Sequence, residues 1–481
     1  MSDSGSGTPG AETPLSRRSV LKGLAGAAGL AVVPGALLEA CSSKKKSTAA
    51  PSSAAASTSA PAPATTSAAA ASTSAAAPVS SAPAASGGSI TFGSNYSDAS
   101  VKAAFATLAT GATTSTGVNV TVNTVDHNTF QNNISTYLQG TPDDLCTWFA
   151  GYRLQFFAAQ NLLTPIDDVW QTISGNFNAA GQALSKGLDG HYYMVPLYNY
   201  PWVVFYDKSV FAAKGYTVPT TWDDFIALAK KMKTDGLIPL AFADKDGWPA
   251  LGTFDIINLR VNGYDYHIKL MKHEVPWTDP GVTAVFKQWQ EILPYCQTGA
   301  TGRIWEDAAT ALEKKQAGMM FQGSNQVAAN YQSTNAADLT DLDFFVYPII
   351  NPTYGTDYMD APTDGFMMPA KGKSSDSAAA KKVLEYIGTA DAETNFLKTD
   401  AYDVGLANGL NAPSYNAIQQ KAVTAIGACK AVSQFMDRDT IPDMATAMIK
   451  LIQSFIDNPS TSNIASIQKS AETQAKTIFS S

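Results

Sequence analysis

Short strand patterns alternating with helical ones predict an α/β protein of two domains, preceded by a leader and a low-complexity tract. Three observations carry this. All 8 Trp, 19 Tyr and 21 Phe lie at or beyond Phe92, so core-forming side chains begin there. Residues 87–481, 395 of the 481, are too many for one ordinary core and suit two. Strand and helix signals alternate along that stretch, as α/β folds require.

Before it, Arg17-Arg18 and Lys22 precede Gly23 to Leu38, sixteen uncharged residues rich in Ala, Gly, Leu and Val. A charged region and a short, weakly apolar one describe a secretory signal over residues 1–40. The paired arginines resemble the twin-arginine export signal of bacteria. Leu38-Glu39-Ala40-Cys41 resembles a lipobox, which makes Cys41 the lipid-modified N-terminus; Glu39 stands where a small residue is usual, and the other reading is an ordinary cleaved signal. Residues 47–86 are Ala, Ser, Thr and Pro throughout except Val79. Such a tract cannot bury enough apolar surface to offset its ordering entropy, so 41–86 is expected to be a disordered tether. Lys44, Lys45 and Lys46 either sit against anionic headgroups or are simply solvated.

The globular elements follow in order. Ile90 to Phe92 and Val118 to Val122 read as strands around a helix from about Asp98 to Ala112. Leu145 to Phe149 is a third strand, followed by a helix near 151–160. Strands are expected near Tyr193–Leu197 and Val203–Tyr206. Thr221 caps a helix running to about Thr234, with Asp223 and Asp224 in the first turn, where the helix dipole favours negative charge. Ala317–Phe321, Asp343–Tyr347 and Asp364–Met368 read as further strands. At the C-terminus Ile464, Ile467, Ala471, Ala475 and Ile478 recur on one helical face.

Composition excludes several functions. Of 33 basic and 41 acidic residues, six and three precede residue 87, leaving 27 against 38 in 87–481, a net charge of −11. Acidity without a basic patch counts against nucleic acid. No strongly apolar run long enough to span a membrane follows residue 41. Cys146, Cys296 and Cys429 lack metal-ligand spacing; they are three isolated thiols, or one pair forms a disulfide. The motifs G-x-S-x-G and H-E-x-x-H and a P-loop are all absent. The neighbouring acids Asp143/Asp144, Asp167/Asp168 and Asp223/Asp224 point to different sides, and helix capping accounts for two of these pairs better than glycoside hydrolysis does.

Residues 141–149 (TPDDLCTWF), 195–208 (VPLYNYPWVVFYDK), 218–225 (VPTTWDDF), 317–323 (AGMMFQG) and 361–366 (APTDGF) fall in a characteristic order. Together they resemble the extracellular solute-binding proteins of family 1, the carbohydrate-capturing components of ABC importers, over about residues 90–481. The resemblance implies a two-lobed periplasmic-binding-protein-like fold (type II) with hinge strands and a ligand cleft. Lobe 1 is expected to use about 89–197 plus 325–375, and lobe 2 about 205–320 plus C-terminal helices. It further implies a non-enzymatic monomer without cofactor or metal. Its lobes would close on a carbohydrate and present it to permease subunits energised by a separate cytoplasmic ATPase, with the chain held by lipid at the extracellular face of the cytoplasmic membrane.

A sugar offers a flat C–H face and a rim of hydroxyls, met by aromatic rings and by planar polar groups. On that chemistry Trp148, Tyr152 and Arg153 form one candidate cluster, leaving a strand for a helix; Arg153 matches a family position that often reaches ligand. Tyr200 and Trp202 share one side of the first crossing, where they either face sugar or wedge the hinge. Trp248, in the loop Asp244–Pro249, corresponds to a frequent stacking position. Asn325 and Asp364, beside glycine-bearing strand ends, are expected hydroxyl partners. Asp98, with Tyr96 and Ser97, follows the first strand, where it binds ligand or only caps a helix. Trp222 and Trp277 are assigned to packing, His127 to a structural role, and Asp437-Arg438-Asp439 to an ion-pair knot on the C-terminal helices.

Overall fold

Ile90 and Phe92 turn inward on alternate positions of a strand, Ser89–Ser94 (β1). The following helix, Ala99–Thr116, buries Val101, Phe105, Leu108 and Ala112 along one face, and Gly117, at φ 72°, ends it in the left-handed conformation glycine tolerates. Asn119–Thr124 (β2) returns parallel to β1. A second helix, His127–Gln139, is capped by the Asp126 carboxylate, which accepts from Thr129 N at 2.9 Å. Leu145–Phe149 (β3), buried throughout, pairs parallel on the other side of β1. The computed structural model of the protein describes residues 87–372, 377–400, 402–410 and 415–480. The segments expected to be an export signal and a tether, with Cys41 between them, lie outside the described residues.

Met194–Asn199 (β4), Thr363–Met367 (β10) and Val404–Gly405 (β11) complete a six-stranded sheet of order β11-β4-β10-β3-β1-β2, in which β10 runs antiparallel to both neighbours. A second sheet, of order β6-β7-β5-β8, holds Trp202–Asp207 (β5), Ile238–Ala241 (β6), Ala317–Gly323 (β7) and Leu342–Phe345 (β8). Between them Tyr358–Asp360 (β9) pairs parallel with Ala431–Ser433 (β12). The chain thus forms two sheet-centred lobes. It leaves the larger sheet through Tyr200-Pro201 and re-enters it through Ala361-Pro362.

These crossings lie side by side. Tyr200 N donates to Pro362 O (3.3 Å), Ala361 N to Ser433 O (3.2 Å), and Thr363 N to the side-chain oxygen of Gln434 (2.9 Å). Three chain segments are therefore joined where the sheets meet.

One expectation needs correction: 325–375 does not belong to one sheet. β8 pairs with β5 in the smaller sheet and only β10 enters the larger, because Phe344 and Phe345 have their apolar partners on β5 and the helix beyond it. Thr221 caps Trp222–Thr234 as expected, accepting from Asp224 N at 3.3 Å. The C-terminal helix, Thr461–Ser480, buries Ile464, Ile467, Ala471 and Ala475. Cys146, Cys296 and Cys429 are free thiols. Among the described residues no helix is long and apolar enough to cross a membrane.

Phe105 anchors the face of the larger sheet. Its ring centroid lies 5.6 Å from Phe92, 5.9 Å from Phe366 and 5.0 Å from Phe396, joining β1, β10 and the helix Ala390–Thr399. Phe105→Ala is expected to lower stability by about 3–5 kcal/mol, the range for emptying an aromatic site in a core. Urea unfolding measures it, and a loss below about 1 kcal/mol would mean that the cluster is loosely packed.

Candidate functional site

The principal cleft opens where the crossings meet. The larger sheet contributes Tyr96, Ser97 and Asp98 from the end of β1, His127 and Gln131 from the helix after β2, and Asp364 from β10. Tyr200 and Trp202 come from the first crossing. Facing them are Trp248, Trp305, Glu306, Asn325 and Gln326 from loops and helix starts around the smaller sheet. Phe435, Asp437 and Arg438 close the floor from a short helix, Met436–Asp439, and the residue before it.

Two ion pairs organise that floor. Arg438 Nη1 donates to Asp364 Oδ1 at 2.8 Å, while the Tyr96 hydroxyl donates to Asp364 Oδ2. The Arg438 guanidinium lies 3.8 Å from the Phe149 ring centroid and 5.7 Å from that of Tyr200. Arg153 Nη1 donates to Asp437 Oδ2 at 3.0 Å and to Gln131 Oε1 at 3.3 Å. His127 is held by side-chain amides, its ring nitrogens 3.2 Å from Asn95 and 2.7 Å from Gln131. Burial, with Arg438 nearby, pushes its pKa down to about 4, so the ring is neutral near pH 7. Burial pushes Glu306 up to about 7, with Asp98 and Asp246 adding to the effect.

The aromatic wall is built edge to face. Trp202 and Trp248 lie 6.2 Å apart at 86°, and Trp202 packs 4.8 Å from Phe435. Trp202 Nε1, Trp248 Nε1, Glu306 Oε2, Asn325 Oδ1 and Gln326 Oε1 are buried and find no hydrogen-bond partner among the described residues. All five residues line this cleft. Buried polar atoms are normally satisfied, so their convergence marks a place built to exchange hydrogen bonds with a guest, the two indoles donating and the three side-chain oxygens accepting.

The structure brings Asp98, Tyr200, Trp202, Trp248, Asn325 and Asp364 together on the cleft lining. It does not bring Trp148, Tyr152 and Arg153 there. Trp148 is fully buried, stacked 4.7 Å from Phe149 with Phe130 and Phe157 around it, because β3 is covered on both faces. Tyr152 is half-buried outside the lining, and Arg153 stands one layer back, reaching the cleft through Asp437. Trp222 and Trp277 are buried, as packing requires. The Asp437-Arg438-Asp439 run is ion-paired, but not within the C-terminal helices: Asp437 meets Arg153 and Arg438 meets Asp364 on the larger sheet's side of the cleft, while Asp439 lies 3.9 Å from His267. Sequence reasoning missed Trp305, Glu306, Gln326, Tyr402 and Phe435 as lining residues; His127, assigned a structural role and held by two side-chain amides, also lies on the lining. An acidic first turn, Glu306-Asp307, marked the Trp305 helix start but did not say which way it faced.

Among the described residues no group of three or more His, Cys, Asp or Glu stands where it could hold a metal ion. Residues 103–415 match the family described as bacterial extracellular solute-binding protein. An uncharacterized ABC transporter extracellular-binding protein of Pyrococcus horikoshii is 30% identical over 266 residues, 54% of this chain and 58% of that protein. The alpha-glucosides-binding periplasmic protein AglE of Rhizobium meliloti is 32% identical over 166 residues, 31% of this chain and 35% of that one. The matches therefore span less than two thirds of these relatives' lengths. A solved structure of the bacterial solute receptor AcbH, described as exclusively preferring β-D-galactopyranose, is 76% identical with a TM-score of 0.80, covering 82% of this chain and 100% of that one.

Because the His127 pKa in the folded protein is about 4, against about 6.5 in an unfolded chain, the unfolded state binds more protons between these values. This residue's contribution to stability is therefore lost as pH falls from about 6.5 through about 4. Urea midpoints of His127→Gln against the parent across that window are expected to show a flatter decline in the variant. Parallel curves would mean that His127 titrates normally.

Proposed function

Since the chain belongs to the family of bacterial extracellular solute-binding proteins, we propose that it is the sugar receptor of an ABC importer, with β-D-galactopyranose the first candidate ligand. The observation that carries this reading is the cleft lining. Indole and phenol faces from both sides of the crossings meet a rim of carboxylates and amides, and five residues of this lining, two indoles and three of the rim, hold buried polar atoms without a partner among the described residues. A pyranose supplies the complement of both: C–H faces for the rings and hydroxyls for the rim. The 76% identity to AcbH supports galactose in particular.

The larger sheet with its helices forms one lobe, and the smaller sheet with Pro442–Asp457 and Thr461–Ser480 the other. Asp98, Asp364 and His127 hold the ligand from the first, Trp248, Asn325 and Glu306 from the second. Since each lobe holds part of the ligand, binding energy favours the closed arrangement, pivoting at the crossings. The closed form docks a permease whose energy comes from a separate cytoplasmic ATPase. The twin-arginine-like signal, Cys41 and the composition of the tract 41–86 support export and lipid anchoring of a monomeric receptor at the outer face of the cytoplasmic membrane.

Thermal unfolding against mono-, di- and oligosaccharides, with peptides and divalent metals as controls, tests the reading. Galactose at a hundred times its Kd adds about 2.7 kcal/mol and raises Tm by a few degrees. A shift with peptide or metal alone, or none with any sugar, overturns the carbohydrate assignment. Trp248→Ala is expected to weaken galactose binding by about 1–3 kcal/mol, measured by calorimetric titration. Unchanged affinity would remove Trp248 from the site.

A further inference from the structure

We infer that Asp255 and Asp439, with His267 packed between them, are positioning residues for ligand capture: they hold the backbone turn at Phe435 that carries Asp437 and Arg438 into the cleft. The inference rests on the reading of that cleft as a sugar site.

Phe435 sits at φ 94° and ψ 142°, a conformation that costs energy for any side-chain-bearing residue and persists only where the surroundings enforce it. The enforcement is on both sides of it. The preceding amide, Gln434 N, donates to Asp439 Oδ2 at 2.9 Å, and the following one, Met436 N, donates to Asp255 Oδ2 at 2.6 Å. The Phe435 carbonyl accepts from Arg438 N and Asp439 N, each at 2.9 Å. Asp255 is fully buried on the helix Pro249–Val261. His267, also fully buried, has Nδ1 3.8 Å from Asp255 Oδ1 and Nε2 3.9 Å from Asp439 Oδ2, so its ring spaces the two carboxylates. Burying carboxylates beside one another is unfavourable, and here one oxygen of each is committed to an amide that flanks the strained residue.

The turn's output is in the cleft. The Phe435 ring packs on Trp202, and within three residues Asp437 meets Arg153 and Arg438 meets Asp364. Gly252, one turn before Asp255, leaves room for this: a Cβ there would stand 2.6 Å from Trp202 and 2.7 Å from Phe435. With either acceptor removed, the Phe435 backbone relaxes toward negative φ and displaces both ion pairs. A merely structural role predicts lost stability alone.

Asparagine keeps an oxygen for the backbone amide and alanine does not, so paired variants separate the roles. Asp439→Ala and Asp255→Ala are expected to weaken galactose binding by about tenfold or more, the scale of one unsatisfied buried donor. Asp439→Asn and Asp255→Asn should stay within about threefold of the parent, by calorimetric titration of proteins shown to be folded. Parent-like binding by the alanine variants, or equal loss in both sets, overturns the inference. Phe435→Gly and Phe435→Ala both lose the ring, but only glycine suits the observed φ. The glycine variant should unfold at the higher urea midpoint, and the reverse order overturns the strain argument without any ligand. If the parent binds no sugar, the receptor reading falls, and the unfolding order still decides whether the turn is held as inferred.

Discussion

The contact between Asp364 and Arg438 is the constraint around which the rest of the molecule is arranged. It joins residues 74 positions apart, one at the start of β10 and one in the short helix after β12. Taking both ions from water costs several kcal/mol each, roughly, so the pair survives only where its geometry is good and further groups surround it. Burial pushes the Asp364 pKa up, against the pull of Arg438 and the Tyr96 hydroxyl. Burial likewise opposes the charge on Arg438, yet Asp364 and Tyr200 hold its pKa above the ordinary value. The flat guanidinium face is spent on Phe149, which fixes β3 beneath it. A point cation such as lysine could not supply the planar contact and the directed donor together.

The requirement propagates outward. β10 must run antiparallel between β3 and β4 to bring Asp364 to the cleft, and Gly365 allows it: a Cβ there would lie 2.3 Å from Val195 O, where the register to β4 shifts. Once β10 is so placed, Ala361-Pro362 has to lie against Tyr200-Pro201, and both prolines interrupt the ladders where the sheets part. The aromatic wall stands on this junction, since Trp202 opens β5 immediately after the first crossing.

How much of this was legible in the sequence depends on how local the signal is. Periodicity located β3, β5, β7 and the capped helix at Trp222 closely, because apolar runs and Thr221 report on their own neighbourhoods. The short strands β9, β11 and β12, of two or three residues, exist only by pairing with distant chain and carry no pattern of their own. The same division holds at the site. Trp202, Trp248 and Asp364 sit at strand ends or in a turn-rich loop, where exposure to a cleft could be argued from sequence. Trp148 could not be told from a ligand contact, because a strand buried on both faces has no outward side for alternation to mark. Phe435, Asp437 and Arg438 reach the cleft through a third passage of the chain, and a charged triplet does not by itself disclose a partner 74 residues away.

If the cleft takes a sugar, as proposed, the electrostatics of the lining favour a neutral one. Asp98, Asp126, Asp364, Asp437 and Glu306 face the cleft, while among the described lining residues only Arg438 bears a fixed positive charge. That charge is already matched by Asp364. Burial raises the pKa of Asp98, with Asp126 adding, and burial takes Glu306 to about 7, so the site already resists its own negative charge. A sugar acid would bring another anion into this field with no free cation to meet it, against the −11 of the folded region as a whole. A neutral hexose brings only hydroxyl protons, which carboxylates and amide oxygens accept without any change in net charge. This arrangement of lining charges therefore gives a neutral polyhydroxyl ligand an advantage over its oxidised counterpart.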